Sequence, residues 1–200
     1  MPQLDDIVDR THMATRSFIA DDKHAATDRA PANPILRYRL NVVASTTEDV
    51  VHSAGGWLCD RARAGWDVNV LVPGGGDPQP LTILGATTQE LHDDFLSMVR
   101  SASRVEALAV SADLLAADTR LRDEVVRVLK RGLTEVTVWG QQWPAELGRQ
   151  ADSVQHRVSA AARAFKSHAL VAADVSADAA TATETLFRIE TGAFRPLYSV

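Results

Sequence analysis

Four stretches of this chain carry groups that suit the binding of a small polar ligand. Hydroxyl groups follow apolar runs at Ser45-Thr46 and at Ser111, and a glycine-rich segment, Gly74-Gly75-Gly76-Asp77, follows another. Gln141 and Trp143 come just after a fourth apolar run. Hydroxyls and amides hold a ligand by hydrogen bonds, an indole stacks on it, and a carboxylate such as Asp77 serves as a base. These residues are the predicted ligand-binding site, and the sequence identifies no catalytic residue.

The triple glycine has two interpretations. Three residues without Cβ let the backbone come close to a ligand. Alternatively, the segment is only a loop that joins Val72 to Leu81 without strain. It has neither the lysine of a P-loop nor the G-x-G-x-x-G spacing, so no nucleotide fingerprint is present.

The segment Ser45-Thr46-Thr47 resembles the phosphate-binding turn of flavodoxins, a hydroxyl-rich loop that opens a helix. The glycine that flavodoxins place next is absent, and Glu48 and Asp49 stand there instead. Their carboxylates would repel a phosphate, although they suit the first turn of a helix. Ser45 and Glu48 have the spacing of a capping box, and FMN is disfavoured. The cofactor therefore stays unknown.

The tryptophan after the fourth run also has two interpretations. Trp139 ends that run, and Gln141 and Trp143 could orient a small molecule at the rim of a sheet. Alternatively, Trp143 closes the end of the sheet against the next helix.

Other catalytic and metal-binding patterns are absent from the sequence. It has no H-E-x-x-H, no paired C-x-x-C and no G-x-S-x-G, and His92-Asp93-Asp94 suits a solvated helix face better than a metal site. The single Cys59 lies in an apolar helical stretch and suits a buried position. We predict no metal site.

Alternating strands and helices are needed to position these residues. From Ile35 a strand pattern leads into a capped helix that ends at Gly65, and a second strand follows to Val72, which predicts a βαβ unit. The pattern predicts further strands at 81–84, 105–110 and 133–139, helical sequence from Thr87 and from Ser111 to Gly132, and a long helix over about 145–173.

The predicted fold is a three-layer, doubly wound α/β domain with a mostly parallel sheet, similar to the flavodoxin and Rossmann folds. It ends in a hairpin or an extended edge segment around Leu186–Val200. Residues 1–34 have few large apolar side chains and many aspartates, so we expect a flexible acidic arm before a single domain over 35–200.

Composition limits the partners and the location. The 200 residues have a formal net charge of −5, which argues against a nucleic acid partner, although Arg149, Arg157, Arg163 and Lys166 would share a basic helix face. No apolar run is long enough to span a bilayer and no secretory leader is visible, so we expect a cytoplasmic protein without membrane contact.

Function is predicted with one alternative. A well-patterned core without a convergent catalytic set favours a non-catalytic module that senses a small-molecule ligand or binds proteins, and that self-associates into a homo-oligomer through its arm or tail. The alternative is an enzyme that acts on a small polar or nucleotide-like molecule at the carboxyl ends of the strands.

Overall fold

The computed structural model describes residues 37–92, 94–103, 106–140, 143–144, 147 and 151–189. The predicted acidic arm, 1–34, lies outside these residues, so its flexibility and the boundary of the domain at 35 stay predictions. None of the helices in the described ranges is long and apolar enough to cross a membrane.

Within the described residues, seven strands form one sheet in the order β3-β2-β1-β4-β5-β7-β6. The first five strands are parallel, and β7 runs antiparallel to both of its neighbours. The strands are β1 (Arg39–Val43), β2 (Asp67–Val72), β3 (Thr87–Glu90), β4 (Glu106–Ser111), β5 (Glu135–Trp139), β6 (Asp152–Arg157) and β7 (Thr183–Ile189). The predicted fold class is confirmed.

Helices cover both faces of the sheet and make the outer two layers. They are α1 (Thr47–Arg63), α2 (Gln79–Ile83), α3 (Phe95–Ser101), α4 (Ala112–Ala117), α5 (Thr119–Arg131) and α6 (Ala160–Ala172), with a short 3₁₀ helix at Ala177–Ala179. One apolar core lies between the sheet and α1, α2 and α6, and the other lies between the sheet and α3, α4 and α5.

Local sequence explains the βαβ unit at the start. Leu40 and Val42 of β1 face the first core and Val43 faces the second, because successive side chains of a strand alternate between its faces. On α1, Val50, Ala54 and other apolar residues at helical spacing are fully buried. The unit ends as predicted in a parallel pair, β1 and β2.

Both predictions for residues 81–90 are wrong, the strand at 81–84 and the helix start at Thr87. The apolar run predicted as a strand at 81–84 forms part of α2, which has Pro80 in its first turn, a position where proline is tolerated. The predicted helix start at Thr87 is instead the strand β3, which pairs with β2 alone. An edge strand with polar side chains has no apolar alternation to reveal it.

The predicted long helix over 145–173 is also wrong in its first half. Asp152–Arg157 forms β6, the other edge strand, and α6 begins only after Ser159, whose hydroxyl accepts a hydrogen bond from the Ala162 amide. The predicted basic helix face therefore does not exist, because Arg157 lies on a strand and Lys166 is fully buried. Arg149 lies outside the described residues.

The last strand ends the described part of the chain. β7 lies between β5 and β6 and pairs antiparallel with both, so it is not an edge strand. Residues 190–200, which include the predicted segment from Phe194 to Val200, lie outside the described residues.

Candidate active site

The winding of the chain leaves a crevice at the carboxyl ends of β1 and β4. These strands are neighbours, but the chain leaves β1 for α1 on one face and leaves β4 for α4 and α5 on the other. Open α/β sheets bind ligands at such a switch point. A cavity of about 410 Å³ lies there, lined among the described residues by Asp49, His52, Ser53, Asp113, Gly140, Thr181, Thr183, Glu184 and Thr185.

The Asp49 carboxylate is the best-held polar group of this cavity. Ser45 Oγ donates to Asp49 Oδ2 at 3.4 Å, and Ser53 Oγ donates to Oδ1 at 3.2 Å. From β5, the indole Nε1 of Trp139 donates to Oδ2 at 3.2 Å, and this indole is fully buried. Three donors from three different segments therefore hold a half-buried carboxylate in one orientation.

The first two turns of α1 place Asp49, His52 and Ser53 at the cavity. Thr46 is the N-cap, and its Oγ1 accepts a hydrogen bond from the Asp49 amide at 3.1 Å. His52 and Ser53 follow Asp49 at i+3 and i+4, so the three side chains share one face of the helix. An exposed imidazole and an oriented carboxylate on one helix face are groups that can accept and donate protons in a reaction.

Asp113 brings a second, exposed carboxylate from the opposite side. It lies in the first turn of α4, directly after β4, and Gly140 follows β5 beside it. A Cβ built on Gly140, whose φ is +143°, would lie 2.7 Å from the Ala112 Cβ. Glycine at this position therefore lets the chain after β5 pass close to the start of α4.

A buried ion pair between Lys166 and Glu184 lies at the wall of the cavity. The side chains of Lys166 and Glu184 are 0% and 1% exposed, and Lys166 Nζ lies 2.5 Å from Glu184 Oε1. Glu184 also accepts hydrogen bonds from the amides of Gly56 at 2.8 Å and Trp57 at 2.7 Å, and Lys166 Nζ donates to the His52 carbonyl at 2.7 Å. The pair thus links α6 and β7 to the part of α1 that carries His52.

The hydroxyls that the sequence predicted at the site lie near Asp49. Ser45 is one of the donors to its carboxylate, and Thr46 caps α1. Ser111 is the last residue of β4, is 2% exposed and pairs in register with Trp139. The structure brings these residues to one edge of the sheet, where their predicted role in binding a ligand stays a prediction.

The glycine-rich loop lies at the same edge but beside β2. Gly74, Gly75 and Gly76 all have positive φ, between 56° and 73°, which glycine adopts without strain. A Cβ on Gly76 would lie 2.8 Å from Thr47 Oγ1, so the loop packs over the start of α1. Asp77 Oδ1 accepts a hydrogen bond from the Gln79 amide at 2.9 Å, ahead of α2. None of the four is among the described lining residues of the cavity.

Trp143 lies against the second apolar core. Its ring is 6.0 Å from that of Phe187 between centroids, at 54°, and the residue is half-buried. This contact is the kind expected of a side chain that closes the end of the sheet, and ligand binding by Trp143 stays a prediction. Gln141 lies outside the described residues.

Sequence reasoning missed most of the lining. The sequence pattern indicates Asp49 only as an acid in the first turn of a helix, although its spacing to His52 and Ser53 puts all three on one face. The pattern places Asp113 only at the opening of a helix, and it predicts no site role for Thr181, Thr183 or Thr185. No sequence signal connected these segments, because they meet only through the sheet order. The described residues contain no group of three or more His, Cys, Asp or Glu side chains that could hold a metal ion.

Comparison with known proteins finds likeness in structure alone. No family model matches the chain, and no curated protein matches it in sequence. A deacetylase of teicoplanin biosynthesis, solved as a complex with teicoplanin, is similar with a TM-score of 0.54 and 13% identity, over 75% of this chain and 97% of that chain. A triple mutant of a deacetylase in that pathway gives 0.52 and 14% over the same shares, 75% and 97%. The deacetylase of the antimicrobial A40926 pseudoaglycone gives 0.51 and 16%, over 78% of this chain and 98% of that chain.

At these identities the likeness is one of fold. The three similar structures described above are all deacetylases, and this finding overturns the prediction of a non-catalytic sensing or interaction module. The alternative, an enzyme acting at the carboxyl ends of the strands, agrees better with them. The chain shares the α/β fold of these deacetylases.

Proposed function

We propose that this protein is an enzyme that hydrolyses an acyl bond, such as an acetamide, in a small polar molecule bound in the cavity at the ends of β1, β4 and β5. The observation that carries the proposal is the Asp49 carboxylate, held by Ser45, Ser53 and Trp139 in the same cavity as His52. The hydrolytic class is supported by the deacetylases that share the fold, one of them solved with its small-molecule partner teicoplanin.

The proposed chemistry assigns one role to each group. Neutral His52 accepts a proton as water adds to the carbonyl carbon, and it returns that proton to the leaving nitrogen when the C–N bond breaks. Asp49 binds and orients the substrate, because its fixed carboxylate needs no reorganisation when the substrate arrives. Thr181 and Thr183 supply further hydrogen-bonding groups in the lining of the cavity.

The remaining sequence predictions extend this proposal. Ser45 donates to Asp49 at the cavity, and Thr46 and Ser111 lie at the same edge of the sheet, where their roles in ligand binding stay predictions. Binding roles for Gly74, Gly75, Gly76, Asp77, Gln141 and Trp143, a cytoplasmic location and self-association into a homo-oligomer stay predictions.

Acetate release tests the proposal. The full chain is incubated with N-acetylated amino sugars, N-acetylated amino acids and N-acetylated diamines, and acetate is measured enzymatically. Replacing His52 by Gln removes the proton acceptor, and we expect kcat on any active compound to fall by about 10²-fold or more. Replacing Asp49 by Asn should raise KM and lower kcat together.

A matched control separates catalysis from surface charge. Asp123 is an exposed carboxylate on α5, away from the cavity, so Asp123→Asn should keep full activity. Circular dichroism and thermal melting verify that the variants fold. Hydrolysis of no compound, or hydrolysis unchanged in both His52→Gln and Asp49→Asn, would show that the proposal is wrong.

A further inference from the structure

The charged groups that line the proposed active site are all acidic. Asp49, Asp113 and Glu184 line the cavity, and no lysine or arginine is among its described lining residues. Glu184 is neutralised by Lys166, which is buried with it. Asp49 and Asp113 have no ion-pair partner within the described ranges. Two uncompensated negative charges therefore face one cavity.

Among the other described lining residues, four carry hydroxyl groups and His52 carries an imidazole. Ser53 donates to Asp49, Thr181 Oγ1 donates to the Thr183 carbonyl at 2.7 Å, and Thr185 Oγ1 accepts from Gln155. Each of the two carboxylates lies in the first turn of a helix, where the helix dipole stabilises negative charge. The described lining residues therefore place no lysine or arginine beside either carboxylate.

From this we propose that the substrate carries an ammonium group, which binds between the walls that present Asp49 and Asp113. The inference rests on the proposed function and names the substrate class of that site. A phosphate or carboxylate in the same cavity would meet two like charges, and in a partly enclosed site that repulsion is stronger than in water. A neutral ligand would remove water from the carboxylates without replacing their hydration by an opposite charge.

The inference is tested with three probes that share one polyol chain and differ in charge. They are 1-amino-1-deoxysorbitol, sorbitol and sorbitol 6-phosphate, and their binding to the full chain is measured by isothermal titration calorimetry. We expect the amine to bind at least tenfold more tightly than sorbitol and the phosphate to bind more weakly than either. The advantage of the amine should shrink as salt is added, because salt screens charge attraction.

Three variants localise the effect. Asp49→Asn should weaken binding of the amine about tenfold, and Asp113→Asn, which changes an exposed residue, about threefold. Asp123→Asn, which lies away from the cavity, should leave binding unchanged. Because Asp113 and Asp123 are both exposed, neither substitution is expected to disturb folding.

The outcomes separate this inference from the proposed function. If sorbitol or its phosphate binds as tightly as the amine, and Asp49→Asn weakens that binding, the cavity is a ligand site but the ammonium class is wrong. Zn²⁺ alone binding to the wild type and not to Asp49→Asn would likewise overturn the class in favour of a metal. If no probe binds in a way that depends on Asp49, or if Asp123→Asn weakens the amine equally, the ammonium inference is wrong, whereas the proposed function is decided by acetate release.

Discussion

Replacing Lys166 by Met tests whether the buried ion pair is a main support of the fold. Methionine follows the path of the lysine stem, but it removes the ammonium group that contacts Glu184 Oε1 at 2.5 Å and the His52 carbonyl at 2.7 Å. Glu184 would keep its two amide donors and would lose its counter-charge while remaining 1% exposed. Removing one partner of a buried pair typically costs about 3–5 kcal/mol.

We therefore expect Lys166→Met to lower the free energy of unfolding by about 3–5 kcal/mol. Urea unfolding followed by the fluorescence of the four tryptophans measures this change. Lys130→Met, on the exposed side of α5, is the matched control and should stay within about 0.5 kcal/mol of the wild type. The double variant Lys166→Met with Glu184→Gln leaves no buried charge, so its loss should be smaller than the sum of the single losses by about 1–3 kcal/mol.

Two results would refute this reasoning. A Lys166→Met variant within about 1 kcal/mol of the wild type would mean that water or a rearranged side chain compensates Glu184. Strict additivity in the double variant would mean that the two charges do not interact in the folded protein.

Three further changes test other parts of the structure. Gly56→Ala gains helix propensity, but its Cβ would lie 2.6 Å from Val158 Cγ1, so we expect a net loss of stability of about 1–3 kcal/mol in urea unfolding. Trp139→Phe keeps the ring in the core and removes the donor to Asp49, which should lower stability by about 1.5–3 kcal/mol and lower kcat on any hydrolysed compound. Burial raises the pKa of Asp60, but its hydrogen bonds outweigh burial and hold that pKa below its usual value. The stability advantage of the wild type over Asp60→Asn should therefore be full above that usual value and disappear as pH falls through the folded-state pKa, as followed by melting between pH 7 and pH 3.

Each of these predictions has its own control. The atom nearest to a Cβ on Gly55 is the end of the Leu84 side chain, at 3.2 Å, and the next are at ordinary contact distances of 3.7 and 3.8 Å, so Gly55→Ala should be tolerated better than Gly56→Ala. Equal losses of stability in the two variants would contradict the expected clash between the Cβ at position 56 and Val158. For Trp139→Phe, an unchanged kcat would show that the indole donor does not orient Asp49. A constant difference between wild type and Asp60→Asn across the pH range would contradict the lowered pKa.

Local patterns in the sequence predicted the parts of the fold that local physics determines. The alternation of β1, the apolar face of α1 and the glycine at 132, which ends α5 with φ +60°, all depend on residues within a few positions of one another. The edge strands β3 and β6 were missed for the same reason. Their side chains are mostly exposed, so burial imposes no alternation on them, and only pairing with β2 and β7 makes them strands.

The order of apolar residues is enough to predict alternating strands and helices, because a buried face leaves its period in that order. Which polar residues share a site depends on contacts between distant segments. Trp139 reaches Asp49 across 90 positions, and Lys166 reaches Glu184 from a helix that looks solvated in sequence. Whether a charged side chain is on the surface or paired in the interior depends on which element covers it. Which element covers it follows from the order of the strands in the sheet, and this order leaves no periodic pattern in the local sequence.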